Sequence, residues 1–488
     1  MNDTEQPRPS RRRRQLLKSG LALAASTPLL SRTLAAASPD AQPRWTLVET
    51  ARDNGHRSTQ LPPPVSAAPG SGIAAIHVDP QQRLQQMIGL GGALTDSAAF
   101  VLAQLPKAKR AQVLKSYFDP IAGIGYTLAR TPIGSCDFSR TSWSLDDSAD
   151  DLALRHFSLG PMREFQLPLI RDAQKIAGAK RFRLLASPWS PPAWMKTNGE
   201  MARGGSLRPN CRDAWAQYYV RFAKAMRDDE KIPLWALTVQ NEPDVAQPWE
   251  SCLYSPWEER DFIASTLGPA LEAAGLRDVK LFGWDHNRNG LEQRAAVLLT
   301  RPDSAKYLAG LAIHWYQEED FAASRRVLEQ FPDTQVLFTE GCAEGGPHVD
   351  EWAPAERYAR NIIGDLGNGV CGFIDWNIAL DMQGGPNHVG NFCHAPVLID
   401  AKSGEAHYQP SFHYIAHFSK HVQPGAVRVG LRNADASLQA IAFANPDGGL
   451  AVVVCNPGDD AKDFGIAVGD DTRACHTPAH AIQTYVRA

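Results

Sequence analysis

From residue 86 to about residue 415 the chain alternates short apolar runs with longer stretches whose apolar positions recur at helical spacing. Eight of the short runs predict strands: residues 87–91, 127–132, 182–187, 235–240, 279–283, 311–315, 336–339 and 372–376. The stretches between them, such as 161–177, 211–227, 256–274 and 355–366, predict helices. The helix at 256 carries its own punctuation: Pro256 at the first turn, Glu258 and Glu259 near the positive end, and Gly275 to stop it. Eight β/α alternations predict a closed (β/α)8 barrel, an α/β fold of the TIM type. The alternative, an open doubly wound sheet, is disfavoured because no Gly-x-Gly-x-x-Gly loop follows the first strand.

Both ends of the chain have a different texture. Residues 38–85 are rich in Pro, Ser, Ala and Gln, with short β-like pieces at 45–48 and 74–78. After about residue 415 the runs are again short and β-rich (427–429, 438–444, 451–455, 482–486), with turns at Asn445-Pro446-Asp447-Gly448 and Asn456-Pro457-Gly458. These pieces predict one accessory β-sandwich built from both chain ends, residues 38–85 with 416–488, beside a barrel over 86–415.

Residues 1–37 belong to neither. A basic run, Arg11 to Arg14, leads through Gln15-Leu16-Leu17-Lys18 into an apolar stretch, 21–30, and then Ala35-Ala36-Ala37. That layout predicts an export signal of twin-arginine type, and so a periplasmic or extracellular protein. The apolar stretch is too short to span a bilayer, so no integral membrane segment is expected. This leader holds seven Lys/Arg and two acids; without it the chain falls from 50 basic and 53 acidic residues to 43 and 51, a formal charge of −8. Such a balance offers no attraction for nucleic acid or anionic lipid, and a neutral small molecule or lipid-linked partner fits better. Eight cysteines, none in a Cys-x-x-Cys pair, give no metal or redox motif; their pairing and the oligomeric state are not legible.

A barrel builds its site at the C-terminal ends of its strands. Collecting the residues there gives Asp96, Arg130, Asp137, Trp189, Asn241-Glu242, Trp284-Asp285-His286, His314-Trp315-Tyr316, Glu340 and Asp375-Trp376-Asn377. Carboxylates, indoles and amides without a phosphate cradle or metal cluster suit the cleavage of a sugar linkage. Glycoside cleavage needs one protonated carboxyl group for the leaving oxygen and one ionised carboxylate to attack carbon or activate water. Glu242 on the fourth strand and Glu340 on the seventh are the pair that can face each other across the mouth. Trp189 sits in a proline-framed loop, Ser187-Pro188-Trp189-Ser190-Pro191-Pro192, able to hold an indole over the site. Trp235, inside a strand, reads as core.

Long ordered stretches also resemble glycoside hydrolase family 30, and within it the glucosylceramidases. They include Gly91-Gly92-Ala93-Leu94-Thr95-Asp96, Ser135-Cys136-Asp137-Phe138-Ser139, Ala312-Ile313-His314-Trp315-Tyr316, Gly384-Gly385-Pro386-Asn387 and His417-Phe418-Ser419-Lys420. The resemblance implies a retaining β-glycosidase for terminal β-linked glucose, with Glu242 as acid/base and Glu340 as nucleophile. It further implies sugar contacts from Asp137, Trp189, Asn241, Trp376 and Asn391, support from Arg130, His314 and Tyr316, and no cofactor or metal. In that mechanism Glu242 is expected to be the protonated member, its pKa held up by the charge of Glu340. The loops 245–254 and 317–321, which shape the outer entrance in the family, match it poorly. The sugar site therefore transfers better than the leaving-group preference, and an exo-acting β-xylosidase or a β-1,6-glucanase is the alternative enzyme. A non-catalytic carbohydrate-binding barrel is disfavoured, since binding alone does not need both glutamates.

Overall fold

The computed structural model describes residues 44–68 and 73–488; the expected export signal, residues 1–37, lies outside the described residues. Eight parallel strands close into a barrel: Gly89–Ala93 (β1), Leu128–Ile133 (β2), Arg183–Pro188 (β3), Leu234–Thr238 (β4), Lys280–Asn287 (β5), Gly310–His314 (β6), Gln335–Glu340 (β7) and Gly372–Asn377 (β8). β8 pairs back onto β1, which removes both sheet edges. The interior is filled by side chains that point in from successive strands: Leu128, Leu185, Ala236, Phe282, Ala312, Leu337 and Ile374, with Ile88 beneath β1. Trp235, expected to be core, is half-buried and packs against this layer from the end of the barrel, with its ring 5.9 Å from that of Phe282. The glycines of β1 are required by contact: a Cβ on Gly91 would stand 1.8 Å from the Leu128 carbonyl oxygen.

The predicted helices cover the outside, with local differences: the one predicted from 161 is regular only over Gln166–Ala177, and the one predicted from 211 ends in a π-helical turn, Ala225–Asp229. The stretch from Pro256 is not one regular helix but Pro256–Phe262, a π-helical turn Ile263–Leu267, and Gly268–Ala273. Pro269 has no N–H to return to the preceding turn, and the wider turn absorbs the loss. Ser255 and Glu258 form a reciprocal cap at its start. Glu259 does more than meet the helix dipole. It is buried, accepts the Trp284 N–H at 2.9 Å and the Arg294 guanidinium at 2.8 Å, and so ties the helix to the end of β5.

The chain ends meet in one ten-stranded sheet. Its order is Thr59–Leu61, Trp45–Ala51, Ala481–Arg487, Leu450–Asn456, Gln439–Ala444, Val427–Asn433, Ala75–Gln86, Lys462–Val468, Asp471–Thr477, Val65–Ser66. The Trp45 indole N–H donates to Asp471 at 2.9 Å, although these strands stand second and ninth in order. The sheet therefore curls back on itself into two layers, with Trp45, Ile76, Val452, Val454, Phe464 and Tyr485 between them. Alternate residues of the same strands, Val453, Cys455 and Ile482, face the barrel side and join its outer core. The hairpin Lys462–Val468 and Asp471–Thr477 is absent from the sequence reading, because its charged and small residues blur the alternation. The helical part of the chain runs on to Ser419, in the helix Pro410–Ser419.

Candidate active site

The strand ends at the barrel mouth are irregular, and the irregularities aim the side chains. The run Leu234 to Pro243 is regular only to Thr238, two residues short of the predicted end at 240. Asn241 N–H then bonds the Pro188 carbonyl at 2.9 Å, Glu242 N–H bonds the Asp285 carbonyl at 3.0 Å, and Glu242 sits at φ 47°, an uncommon conformation for a residue with a Cβ. On β5, Trp284 and Asp285 also have positive φ, 69° and 53°. The β5–β6 register passes from Trp284 to His286 and skips Asp285; the β6–β7 register skips Thr339. In a regular strand neighbours alternate faces, whereas these bulges turn consecutive residues toward the mouth.

At the centre lies Arg130, fully buried. Its guanidinium donates to Glu340 Oε2, to Asn241 Oδ1 at 2.8 Å, to Asp285 Oδ2 at 2.7 Å and to Ser187 Oγ at 3.1 Å. The stacked indoles of Trp189 and Trp376, 5.3 Å apart, lie alongside, with the guanidinium carbon 4.7 Å from the Trp189 ring. Asp285 accepts from Thr238 and Thr339, each at 2.7 Å, and its Oδ1 is 3.0 Å from His314 Nε2. The other nitrogen of His314 lies 3.2 Å from Glu242 Oε1. Glu242 Oε2 accepts from Gln247 at 3.2 Å, and Glu340 Oε1 accepts from the Tyr316 hydroxyl at 2.9 Å.

A cavity of about 370 Å³ opens over this network, a size typical of small-molecule sites. Every predicted contact residue lines it: Asp137, Trp189, Asn241, Trp376 and Asn391, together with Glu242, Glu340 and Tyr316. Arg130 and His314 stand behind that wall, fully buried. Asn391 reaches the cavity on the loop after β8, where its amide donates to Asp137 at 3.1 Å, beside a second donor, Asn387, at 3.3 Å. The sequence reading placed Asp285 and His286 in the ring of strand ends but assigned them no role, and it missed Gln247 and Asn387. Asp285 had a visible signal, an acid closing an apolar strand, and Asn387 stood in the resembling run Gly384-Gly385-Pro386-Asn387; Gln247 lies in a loop without one. All eight cysteines are buried free thiols, and Cys342 and Cys393 line the cavity.

The buried charges set one another. Burial works against a charge on His314, but the carboxylates of Glu340, Asp285 and Glu242 push it up to about 9. Asp285 is held below the usual range: burial opposes this, and the Arg130 charge and the His314 hydrogen bond outweigh it. Burial and the Glu340 charge raise Asp137 to about 7. Glu242 is the reverse of the expectation that the Glu340 charge holds it protonated. Burial raises it, but the hydrogen bond and the charge of His314 bring it below its ordinary value. Glu340 moves up, driven by burial and the Glu242 charge against the pull of His314 and Arg130. These opposed directions favour the shared proton on His314, across a 3.2 Å hydrogen bond from Glu242. The donor atoms of Glu242, His286 and His314 lie within 4.8 Å of one another, and within this trio His314 already bonds a carboxylate through each nitrogen, Glu242 through one and Asp285 through the other.

A closed parallel barrel with two buried glutamates over an arginine-centred charge cluster is an arrangement able to cleave a glycosidic bond. Residues 87–422 match the glycosyl hydrolase family 30 TIM-barrel domain, and residues 425–485 match the family 30 beta sandwich domain. The chain belongs to glycoside hydrolase family 30. It is 38% identical over 415 residues to the putative glucosylceramidase 4 of Caenorhabditis elegans, covering 81% of this chain and 79% of that one. The lysosomal acid glucosylceramidase of Mus musculus is 35% identical over 440 residues, covering 86% and 84%. Among solved structures, SrfJ from Salmonella typhimurium superposes with a TM-score of 0.86 at 33% identity, covering 91% of this chain and 99% of that one. The endo-β1,6-glucanase BT3312 follows with a TM-score of 0.83 at 27% identity over the same shares.

Proposed function

We propose that the protein hydrolyses a terminal β-linked glucose with retention of configuration, Glu340 acting as nucleophile and Glu242 as acid/base. The observation that carries this is the unlike setting of two carboxylates on one cavity. Glu340 is pinned by the Arg130 guanidinium and the Tyr316 hydroxyl, which favour an anionic, oriented oxygen. Glu242 shares a proton with His314. In the first step a Glu340 oxygen bonds to the anomeric carbon as the bond to the leaving oxygen breaks. The leaving oxygen takes its proton from Glu242, which His314 has supplied across their hydrogen bond. The Glu340 charge is then consumed in the ester, and with it the strongest charge supporting an imidazolium at His314. His314 stays neutral and Glu242 stays a carboxylate, ready to take a proton from the water that attacks the anomeric carbon and frees Glu340.

Glucose as the sugar is supported by the relatives, whose names share a glucosyl unit whether the rest is ceramide or a 1,6-glucan. Proton NMR of an aryl β-glucoside digest tests the stereochemistry: β-glucose should appear first, and α-glucose first would overturn retention. Glu340→Gln should lower turnover on the order of a thousand-fold or more, and retained activity would remove Glu340 as nucleophile.

A further inference from the structure

His286 is the group at this site that the chemistry above leaves without work. It lies on β5 just past the positive-φ pair Trp284 and Asp285, and the bulge there puts Asp285, His286 and Asn287 all at the mouth. A strained turn at two residues with side chains persists where surrounding structure enforces it, and such strain gathers at functional sites. The imidazole lines the cavity, is 6% exposed, and packs 4.9 Å from the Trp284 ring. Its Nδ1 is buried without a hydrogen-bond partner and lies 3.9 Å from Glu242 Oε1. The neighbouring polar groups are by contrast engaged: Gln247 on Glu242, Tyr316 on Glu340, Asn287 Oδ1 on the Tyr316 N–H, and Asn391 on Asp137. A buried polar atom left unsatisfied by the protein costs free energy that a ligand can recover.

The position says which part of the ligand this is. Glu242 protonates the leaving oxygen, so a group beside Glu242 meets the leaving group. An oxygen at about 2.8 Å from each of two atoms spans a 3.9 Å gap, so one hydroxyl can bridge Glu242 Oε1 and the imidazole after a small ring adjustment. The charged and titratable groups around the ring are Glu242, His314, Asp244 and Arg294; burial together with His314 and Arg294 outweighs the two acids, so His286 falls below its usual value. A neutral imidazole offers one donor and one acceptor, which matches a hydroxyl. The cavity lining also carries three side-chain amides, Gln247, Asn287 and Gln317, two of them on the entrance loops that match the family poorly.

We infer that His286 is a specificity-determining residue that hydrogen-bonds a hydroxyl of the leaving group, and that the protein favours a sugar leaving group over a hydrocarbon one. This rests on Glu242 being the acid/base. The test compares kcat/KM for a β-1,6-linked glucose disaccharide with that for hexyl β-glucoside, in wild type, His286→Phe and His286→Gln. Both leaving groups are alcohols that need protonation by Glu242, but only the disaccharide's leaving sugar carries further hydroxyls. The disaccharide-to-hexyl ratio should fall about ten-fold in His286→Phe and recover in His286→Gln, which keeps a hydrogen-bonding amide. The ratio does not depend on how much of a variant folds, because both rates scale with the same active fraction. An unchanged ratio in His286→Phe, whether both rates fall or neither does, overturns the assignment. Wild-type protein inert toward both substrates would instead overturn the underlying glucosidase reading.

Discussion

Five ionisable side chains, Arg130, His314, Asp285, Glu242 and Glu340, form one connected set with almost no access to water. Buried charge is tolerated only when paired, and here each group has at least one opposite partner. The pH dependence follows from their directions. Glu340 must be ionised to attack and its carboxyl is raised, so the acidic limb of kcat/KM should lie above the ordinary glutamate range. The His314–Glu242 proton must be present for the leaving group, so activity should fall again as pH rises through about 9. Asp285→Asn removes one of the carboxylates that hold the imidazolium. Its alkaline limb should move to lower pH by about one unit or more, read from pH–rate profiles. An unmoved limb would mean that Asp285 does not set the His314 proton.

At the scale of elements, β8 shows how a barrel strand is joined to its outer helix. Asp375 is fully buried on β8, accepts from the Tyr358 hydroxyl of the helix Ala353–Gly367, and leaves its second oxygen unpartnered. Burial pushes its carboxyl up to about 8. A raised carboxyl holds its proton in the folded state when the unfolded chain has released it, so stability should decline as pH rises from about 4 toward 8. Asp375→Asn keeps an acceptor for Tyr358 and has no proton to lose. It should melt above wild type at pH 8 by on the order of a few kcal/mol, with the gap closing near pH 4 in calorimetry. The Glu259 tie between the helix Pro256–Phe262 and β5 is of the same kind, and it clamps the backbone N–H of Trp284 where the bulge begins. Neither tie is visible along the sequence, where Asp375 and Glu259 look like a strand-end acid and a helix-dipole acid.

At the scale of the molecule, barrel and curled sheet share a core. The helix Pro410–Ser419 lies between them. Its buried His417 reaches Thr484 at 2.8 Å and Thr50 at 3.0 Å, one from each end of the chain, while Tyr414 accepts from the Trp352 indole at 3.0 Å. Ile441, Phe443, Val453 and Ile482 of the sheet pack into the same cluster as Ile362 and Leu366 of the barrel helix. Two units joined in this way should unfold together, as a single calorimetric transition with matching fluorescence and circular-dichroism midpoints. Two resolved transitions would show that the interface does not couple them.

Resemblance to the family implied the wall of Asp137, Trp189, Asn241, Trp376 and Asn391; the sequence by itself determined the eight-strand alternation, the β-rich ends that fold together, and the strand-end pair Glu242 and Glu340. Each of these is written in local periodicity, or in residue types that stand at strand ends, and local patterns survive without knowledge of neighbours. The tertiary structure alone decided where the proton sits. His314 owes its charge to carboxylates 26 to 72 positions away in the chain, and Glu242 owes its lowered value to that imidazolium. It alone also decided that Asp285, His286 and Asn287 all reach the mouth, because strict alternation would have sent one of them outward and only the bulge on β5 prevents it.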